Sequence, residues 1–174
     1  MQTPIFRLVG EINEENVSAI VEGLAGLPQC RVEKAILIVD SDGGSIEEGF
    51  RLIDAIRIIQ SKGVVVQTVV TGKAYSMGLY VTLAAKERTA YPSARMMAHP
   101  ARYNGLSESE IYTARSLKIL ASEMEYFDAR FRELLSNVGI SQADVDYLLS
   151  GDTYLTVSDA IRYGIVQRIE TEVI

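Results

Sequence analysis

The sequence predicts an α/β fold, and three observations carry that prediction. Runs of β-branched and aliphatic residues (Ile5 to Val9, Lys34 to Val39, Val64 to Val70) alternate with segments of helical periodicity. The second and third runs are almost continuously apolar, as strands buried on both faces are. Helix-opening and helix-stopping residues fall between the runs. Such alternation implies parallel strands joined by right-handed crossovers. No linker, repeat or low-complexity segment divides the 174 residues, so a single domain over 1–174 is expected. That length buries a core without disulfides or structural metal.

Each element has a local cause. Ile5 to Val9 reads as the first strand, and Asn13-Glu14-Glu15 caps a helix running to about Leu27, its acids at the positive end. The Lys34–Val39 strand is followed by Asp40-Ser41-Asp42-Gly43-Gly44, a turn by composition. Ser45 and Glu48 have capping-box spacing, and the helix they open carries Ile46, Phe50, Ile53 and Ile56 toward the core. Gly63 ends it. Val64–Val70 is the next strand, Thr71-Gly72-Lys73 a turn, and a small-residue helix runs from about Ser76 to Ala85. Thr89–Tyr91 and Arg95–Ala98 are short strands on either side of Pro92. After Ser141 a short helix reaches Ser150; Thr156 or Ser158 caps a last helix that stops at Gly164, and Ile165–Ile169 closes as a strand.

The segment from Ser107 to about Ser136 stands apart. Ser107 and Glu110 have capping-box spacing, and no Gly or Pro interrupts the chain from there to Ser136. Leu117, Leu120, Met124, Phe127, Phe131 and Leu134 form one apolar stripe along it. A helix of that length spans about 45 Å, against roughly 40 Å for a compact domain of this size. Either it projects, and its apolar stripe then calls for another subunit, which is the favoured reading, or it breaks near Ser122 and packs within one domain.

Composition excludes several function classes. The formal net charge is −6 and no Lys/Arg-rich run occurs, which argues against nucleic acid. No stretch approaches the roughly 20 apolar residues that cross a bilayer. Met1-Gln2-Thr3-Pro4 lacks the basic start of a secretion signal, so a cytoplasmic protein is expected, without membrane association. One cysteine, Cys30, gives neither an internal disulfide nor a metal cluster, and no cofactor is expected.

The chemistry has few candidates. His99 is the single histidine, and it sits where the Arg95–Ala98 strand emerges into a loop; its ordinary pKa of about 6.5 suits a general base. Ser76 stands at a strand-to-helix switch in Ala74-Tyr75-Ser76-Met77-Gly78, either as a plain N-cap or as a nucleophile at a helix N-terminus. Asp42-Gly43-Gly44 is either an ordinary turn or a bend that aims N–H groups at an anion. A calcium loop through Asp40, Asp42 and Glu47 fits no EF-hand spacing. Asp152 follows Gly151 in a loop between helices, where Asp serves turns and caps. Read residue by residue, these features reach a serine hydrolase and stop there.

Together they resemble the Clp protease proteolytic subunit (ClpP) family. Asp40-Ser41-Asp42-Gly43-Gly44-Ser45 sits where that family has an S-P-G-G loop, and Ala74-Tyr75-Ser76-Met77-Gly78 resembles its A-A-S-M-G nucleophile motif. Arg95-Met96-Met97-Ala98-His99-Pro100 is similar to R-V-M-I-H-Q-P. Asp152-Thr153-Tyr154-Leu155-Thr156, with Ala160 and Tyr163-Gly164-Ile165-Val166, resembles the closing D-x-x-[LM]-[ST] and A-x-x-Y-G-[LI]-V motifs. The resemblance implies a ClpP/crotonase-type spiral of ββα units with a projecting handle helix at about 107–136. It implies a serine endopeptidase with Ser76 as nucleophile, His99 as general base and acid, and Asp152 orienting His99. Backbone N–H groups of Gly44 and Met77 would form the oxyanion hole. Its substrate would be a peptide or unfolded protein, cleaved inside a ring or double ring of identical subunits.

The departures are equally specific. Asp42 replaces proline in the Gly-Gly loop, Tyr75 replaces a small residue, and His99 meets Pro100 directly. Arg102-Tyr103-Asn104-Gly105 replaces a glycine-rich strand, and Gly151 an arginine. The chain begins almost at its first strand, without the family's N-terminal axial region, which puts an unfoldase ATPase partner in question. Two other readings stand beside the active peptidase: a catalytically weak ring subunit working with an active partner, and a crotonase-type acyl-CoA enzyme sharing the spiral fold.

Overall fold

Among the described residues strand pairing is parallel except at one short ribbon, and that ribbon matters most. The computed structural model describes residues 3–30, 32–103 and 111–171. Along them run β1 (Ile5–Ile12), α1 (Glu14–Gly26), β2 (Lys34–Gly44), α2 (Ile46–Ser61), β3 (Val65–Tyr75), α3 (Met77–Leu83), β4 (Glu87–Ala90) and β5 (Arg95–Ala98). Then come α4 (Ala114–Asn137), α5 (Gln142–Leu148), β6 (Thr153–Leu155), α6 (Val157–Arg162) and β7 (Arg168–Ile169). The main sheet has the order β1-β2-β3-β4-β7, all parallel. β4 and β5 lie in succession along one flank of β3, and β6 runs antiparallel to β5. The α/β class read from the alternation is the class observed.

The helices form where their caps dictate. Asn13 and Asn16 close a reciprocal box at α1, and the Ser45 hydroxyl accepts from the Glu48 N–H at α2. Of the two candidate caps for α6, Thr156 is the one used, accepting from the Asp159 N–H. Leu8, Ile12, Leu37, Val39, Val66 and Val70 point from β1–β3 into one core with Leu24, Leu52, Ile53 and Ile56 of α1 and α2. An aromatic stack then ties on α4: Phe50 faces Phe127 and Phe131 at ring separations of 6.2 and 6.1 Å, and Phe131 stacks on Tyr80 of α3 at 4.0 Å.

Several boundaries differ from expectation, for physical reasons. Asp40 to Gly44 is not a free turn; β2 continues through it, bulged, pairing Glu11 with Gly43 and Ile12 with Gly44. Thr71-Gly72-Lys73 likewise stays in β3, because the Asp40 carboxylate accepts from the Lys73 N–H and Lys73 pairs in register with Arg95. The closing strand shrinks to Arg168–Ile169. The long helix begins later than Ser107, since Ile111 to Thr113 are non-helical. Thr113 is extended at φ −92° and exchanges cap bonds with Ser116, which stops the helix from propagating backward. The Ser107–Glu110 box lies outside the described residues. With 24 residues α4 spans about 36 Å. Its buried side chains, Phe131, Leu134 and Leu135, all lie near its end, while Leu117, Ile119 and Tyr126 are exposed.

The C-terminal segment is held by Arg88 of β4. Its guanidinium donates to the carbonyls of Ala85, Gly164 and Ile165 at 2.8, 3.2 and 2.9 Å, and burial lowers its pKa from the ordinary value. Arg88→Met keeps the stem but leaves these carbonyls without their donor. It is expected to destabilise the fold by roughly 2–3 kcal/mol, read as a lowered urea midpoint.

Candidate active site

Three strand ends meet at the edge of the β5–β6 ribbon. Tyr75, the last residue of β3, pairs with Met97 of β5, and Met97 pairs with Tyr154 of β6. Ser76 follows β3 directly, His99 follows β5, and Asp152 precedes β6. Because β5 and β6 are antiparallel with Ala98 opposite Thr153, the next positions in that register are His99 and Asp152. Neighbouring strands lie about 4.8 Å apart, so the three residues share one corner of the fold. The Tyr75 and Tyr154 rings meet edge-on at 5.7 Å across this row, which gives the unusual Tyr75 a packing partner.

Ser76 is held in a conformation that only strong local constraint sustains. Its φ of 51° and ψ of −125° make it the one non-glycine with positive φ among the described residues; such backbone costs on the order of 1–3 kcal/mol. Its N–H donates to the Met97 carbonyl at 2.9 Å, and its carbonyl accepts from the Leu79 N–H at 3.0 Å. The side chain makes no cap hydrogen bond, so the plain N-cap role is not the one it fills. A sharp strand-to-helix turn with an uncommitted hydroxyl is the geometry of a nucleophile elbow. Glycine makes the approach possible. A Cβ on Gly43, at φ +99°, would lie 2.7 Å from the Ser76 Cβ, and one on Gly78 would lie 3.2 Å from the Ser41 Cβ.

Ser76, His99 and Gly44 line one cavity of about 600 Å³. Ile46, Leu120, Met124 and Phe127 supply its apolar wall. Glu11, Glu47 and Asp42 stand around it, and Lys73 meets Asp42 at 2.7 Å. That hydrogen bond raises the Lys73 pKa above its ordinary value, and the pair compensates the charge that Asp42 brings to the Gly-Gly bend. Asp40 and Asp42 are thus engaged by the Lys73 N–H and ammonium respectively. Met77 is buried with its side chain against Gly49.

His99 and Asp152 are neighbours in register but not hydrogen-bonded partners. His99 Nδ1 lies 2.5 Å from the Pro100 carbonyl oxygen. A carbonyl only accepts, so this contact is a hydrogen bond in the tautomer protonated at Nδ1, which leaves Nε2 of a neutral ring as acceptor. The Asp152 carboxylate is taken by Arg102, which reaches both its oxygens. Both side chains of that pair are more than 40% exposed, where ion pairs are weak and exchange readily.

The fold agrees with the comparison to known proteins. The Clp protease family model matches residues 1–173, and the chain belongs to that family. It is a ClpP-like peptidase. Among its relatives, the ATP-dependent Clp protease proteolytic subunit 1 of Protochlamydia amoebophila (strain UWE25) is 30% identical over 162 residues, 91% of this chain and 76% of that protein. Proteolytic subunit 2 of Treponema pallidum (strain Nichols) is 30% identical over 173 residues, 97% of this chain and 83% of that protein. No helix among the described residues is long and apolar enough to cross a membrane.

Sequence reading missed the strand β6 and the partners of the His99 loop. Three residues carried no signal for β6, which exists only by pairing with β5. Gly43→Ala tests the packing of the elbow. If Ser76 is the nucleophile, its phosphonylation should slow by at least about tenfold, because alanine strains the backbone at φ +99° and its Cβ would lie 2.7 Å from the Ser76 Cβ. Labelling kinetics beside thermal unfolding check this.

Proposed function

We propose that this protein is a serine endopeptidase, with Ser76 attacking the scissile carbonyl, His99 as general base and then acid, and Asp152 orienting His99. The observation that carries this reading is the placement of these residues at three adjacent strand ends, with Ser76 strained, uncapped and open to a cavity. His99 Nε2 would take the Ser76 proton, and the imidazolium would be stabilised once Asp152 leaves Arg102 for the ring. Backbone N–H groups of Gly44 and Met77 would receive the oxyanion; Met77 opens α3, where N–H groups lack intrahelical acceptors. The apolar cavity wall suits a peptide or unfolded segment bound in extended form. The exposed Leu117, Ile119 and Tyr126 of α4 support burial against other copies of the chain, hence a ring-shaped homo-oligomer built from one domain, acting in the cytoplasm.

The test is fluorophosphonate labelling of the native protein with peptide mapping. One adduct per chain on Ser76 is expected, and none in Ser76→Ala. In His99→Ala the rate should fall by about six orders of magnitude. Labelling that survives His99→Ala at the native rate would sink the triad.

The Arg102–Asp152 ion pair supports a second reading, a catalytically weak subunit that needs an active partner. Arg102→Ala decides between them. If Asp152 serves His99, freeing it should raise the Ser76 labelling rate by about two- to fivefold, the scale of an exposed ion pair. High salt should narrow that difference. An assembled protein that stays unlabelled with or without Arg102 favours the weak subunit.

A further inference from the structure

The His99–Pro100–Ala101 bend is clamped by two side chains from different helices. Tyr80 Oη donates to the His99 carbonyl at 3.0 Å, and Asp128 accepts from the Ala101 N–H at 2.6 Å. Pro100 between them has no N–H to offer, and its carbonyl faces His99 Nδ1. The two clamps therefore hold the backbone polar groups immediately on either side of the proline. We infer that Tyr80 and Asp128 are positioning residues for His99, an inference that rests on the peptidase reading above.

The geometry gives each clamp a distinct task. Tyr80 lies one helical turn beyond Ser76 in α3, so its hydroxyl ties the strand end bearing His99 to the helix that Ser76 opens. Its ring is fully buried against Phe131. Burial, with the Asp128 charge adding to it, pushes the phenol well above its ordinary pKa, so it remains a donor throughout the working range. Asp128 stands beside Phe127 in α4 and takes part in no ion pair among the described residues. Its carboxylate is committed to one backbone N–H, a charge-assisted bond of the stronger kind. The backbone that carries His99 is thereby tied to α3 and α4 as well as to β5. Displacing reacting groups by about 1 Å costs on the order of a hundredfold in rate.

His99 is the only histidine, so its imidazole C–H signals in an NMR titration are unambiguous. The variants are Asp128→Ala, Asp128→Asn, which keeps the acceptor oxygen, and Tyr80→Phe, which keeps the ring stack. For Asp128→Ala and Tyr80→Phe the maximal rate of Ser76 phosphonylation should fall by roughly ten- to a hundredfold, with the half-saturating probe concentration unchanged. The His99 titration midpoint should move in both. Asp128→Asn should stay within about threefold of the wild-type rate. Unchanged rate and titration in Asp128→Ala would overturn the inference. So would an Asp128→Asn as damaged as Asp128→Ala at native mass and melting temperature. If Asp128→Ala fails to fold, Tyr80→Phe decides, because it removes a single hydroxyl. A wild-type protein never labelled at Ser76 overturns the peptidase reading instead, and the His99 titration still reports whether the clamps hold the ring.

Discussion

The hydrogen-bonded row β3–β5–β6 is the constraint on which the candidate site depends. β5 has four residues and β6 three, too few to be stable alone. They persist because β5 is paired on both sides, to Lys73–Tyr75 and to Thr153–Leu155. Met96, Met97, Ala98 and Leu155 are buried there, so register is specified by burial as well as by hydrogen bonds. A slip of one residue would separate His99 from both Ser76 and Asp152. Precision at the corner comes from some of the shortest strands in the sheet.

The strain at Ser76 follows from the same row. A serine at φ 51° is tolerated because its N–H is committed to Met97 of β5, its carbonyl to α3, and its surroundings to Gly43. The elbow is thus over-determined by three elements, and no side-chain cap bond consumes the hydroxyl. Packing and backbone geometry leave the half-buried Ser76 hydroxyl uncommitted beside the cavity; electrostatics enter only afterwards.

Two kinds of polar contact surround the site, and they differ in how easily they exchange. Lys73–Asp42 and Arg102–Asp152 are exposed ion pairs, weak and sensitive to salt. The contacts on the His99 bend come from a buried tyrosine and a half-buried aspartate and hold backbone groups, which are costly to leave unpaired. The scaffold around His99 is accordingly firm, while the carboxylate proposed to orient its ring rests on a partner that it can release. α4 links these levels. Its end is anchored in the Phe50–Phe131–Tyr80 stack, Asp128 grips the bend, and its first turns present apolar side chains outward.

By itself the sequence determined the α/β class, the helix caps at Asn13 and Ser45 and the span of the Arg95–Ala98 strand, and it singled out Ser76 and His99 as candidates. All of these rest on interactions within a few residues along the chain: periodicity, cap spacing, glycine and proline punctuation. Tertiary structure alone decided that Asp40–Gly44 and Thr71–Lys73 stay in strands and that β6 exists at all. It also decided that Asp152 adjoins His99 in register yet binds Arg102, fifty positions away in sequence. The division has one cause. A strand as short as Thr153–Leu155 carries no pattern of its own and takes its conformation from a partner, and the partner is chosen by the closing of the whole sheet.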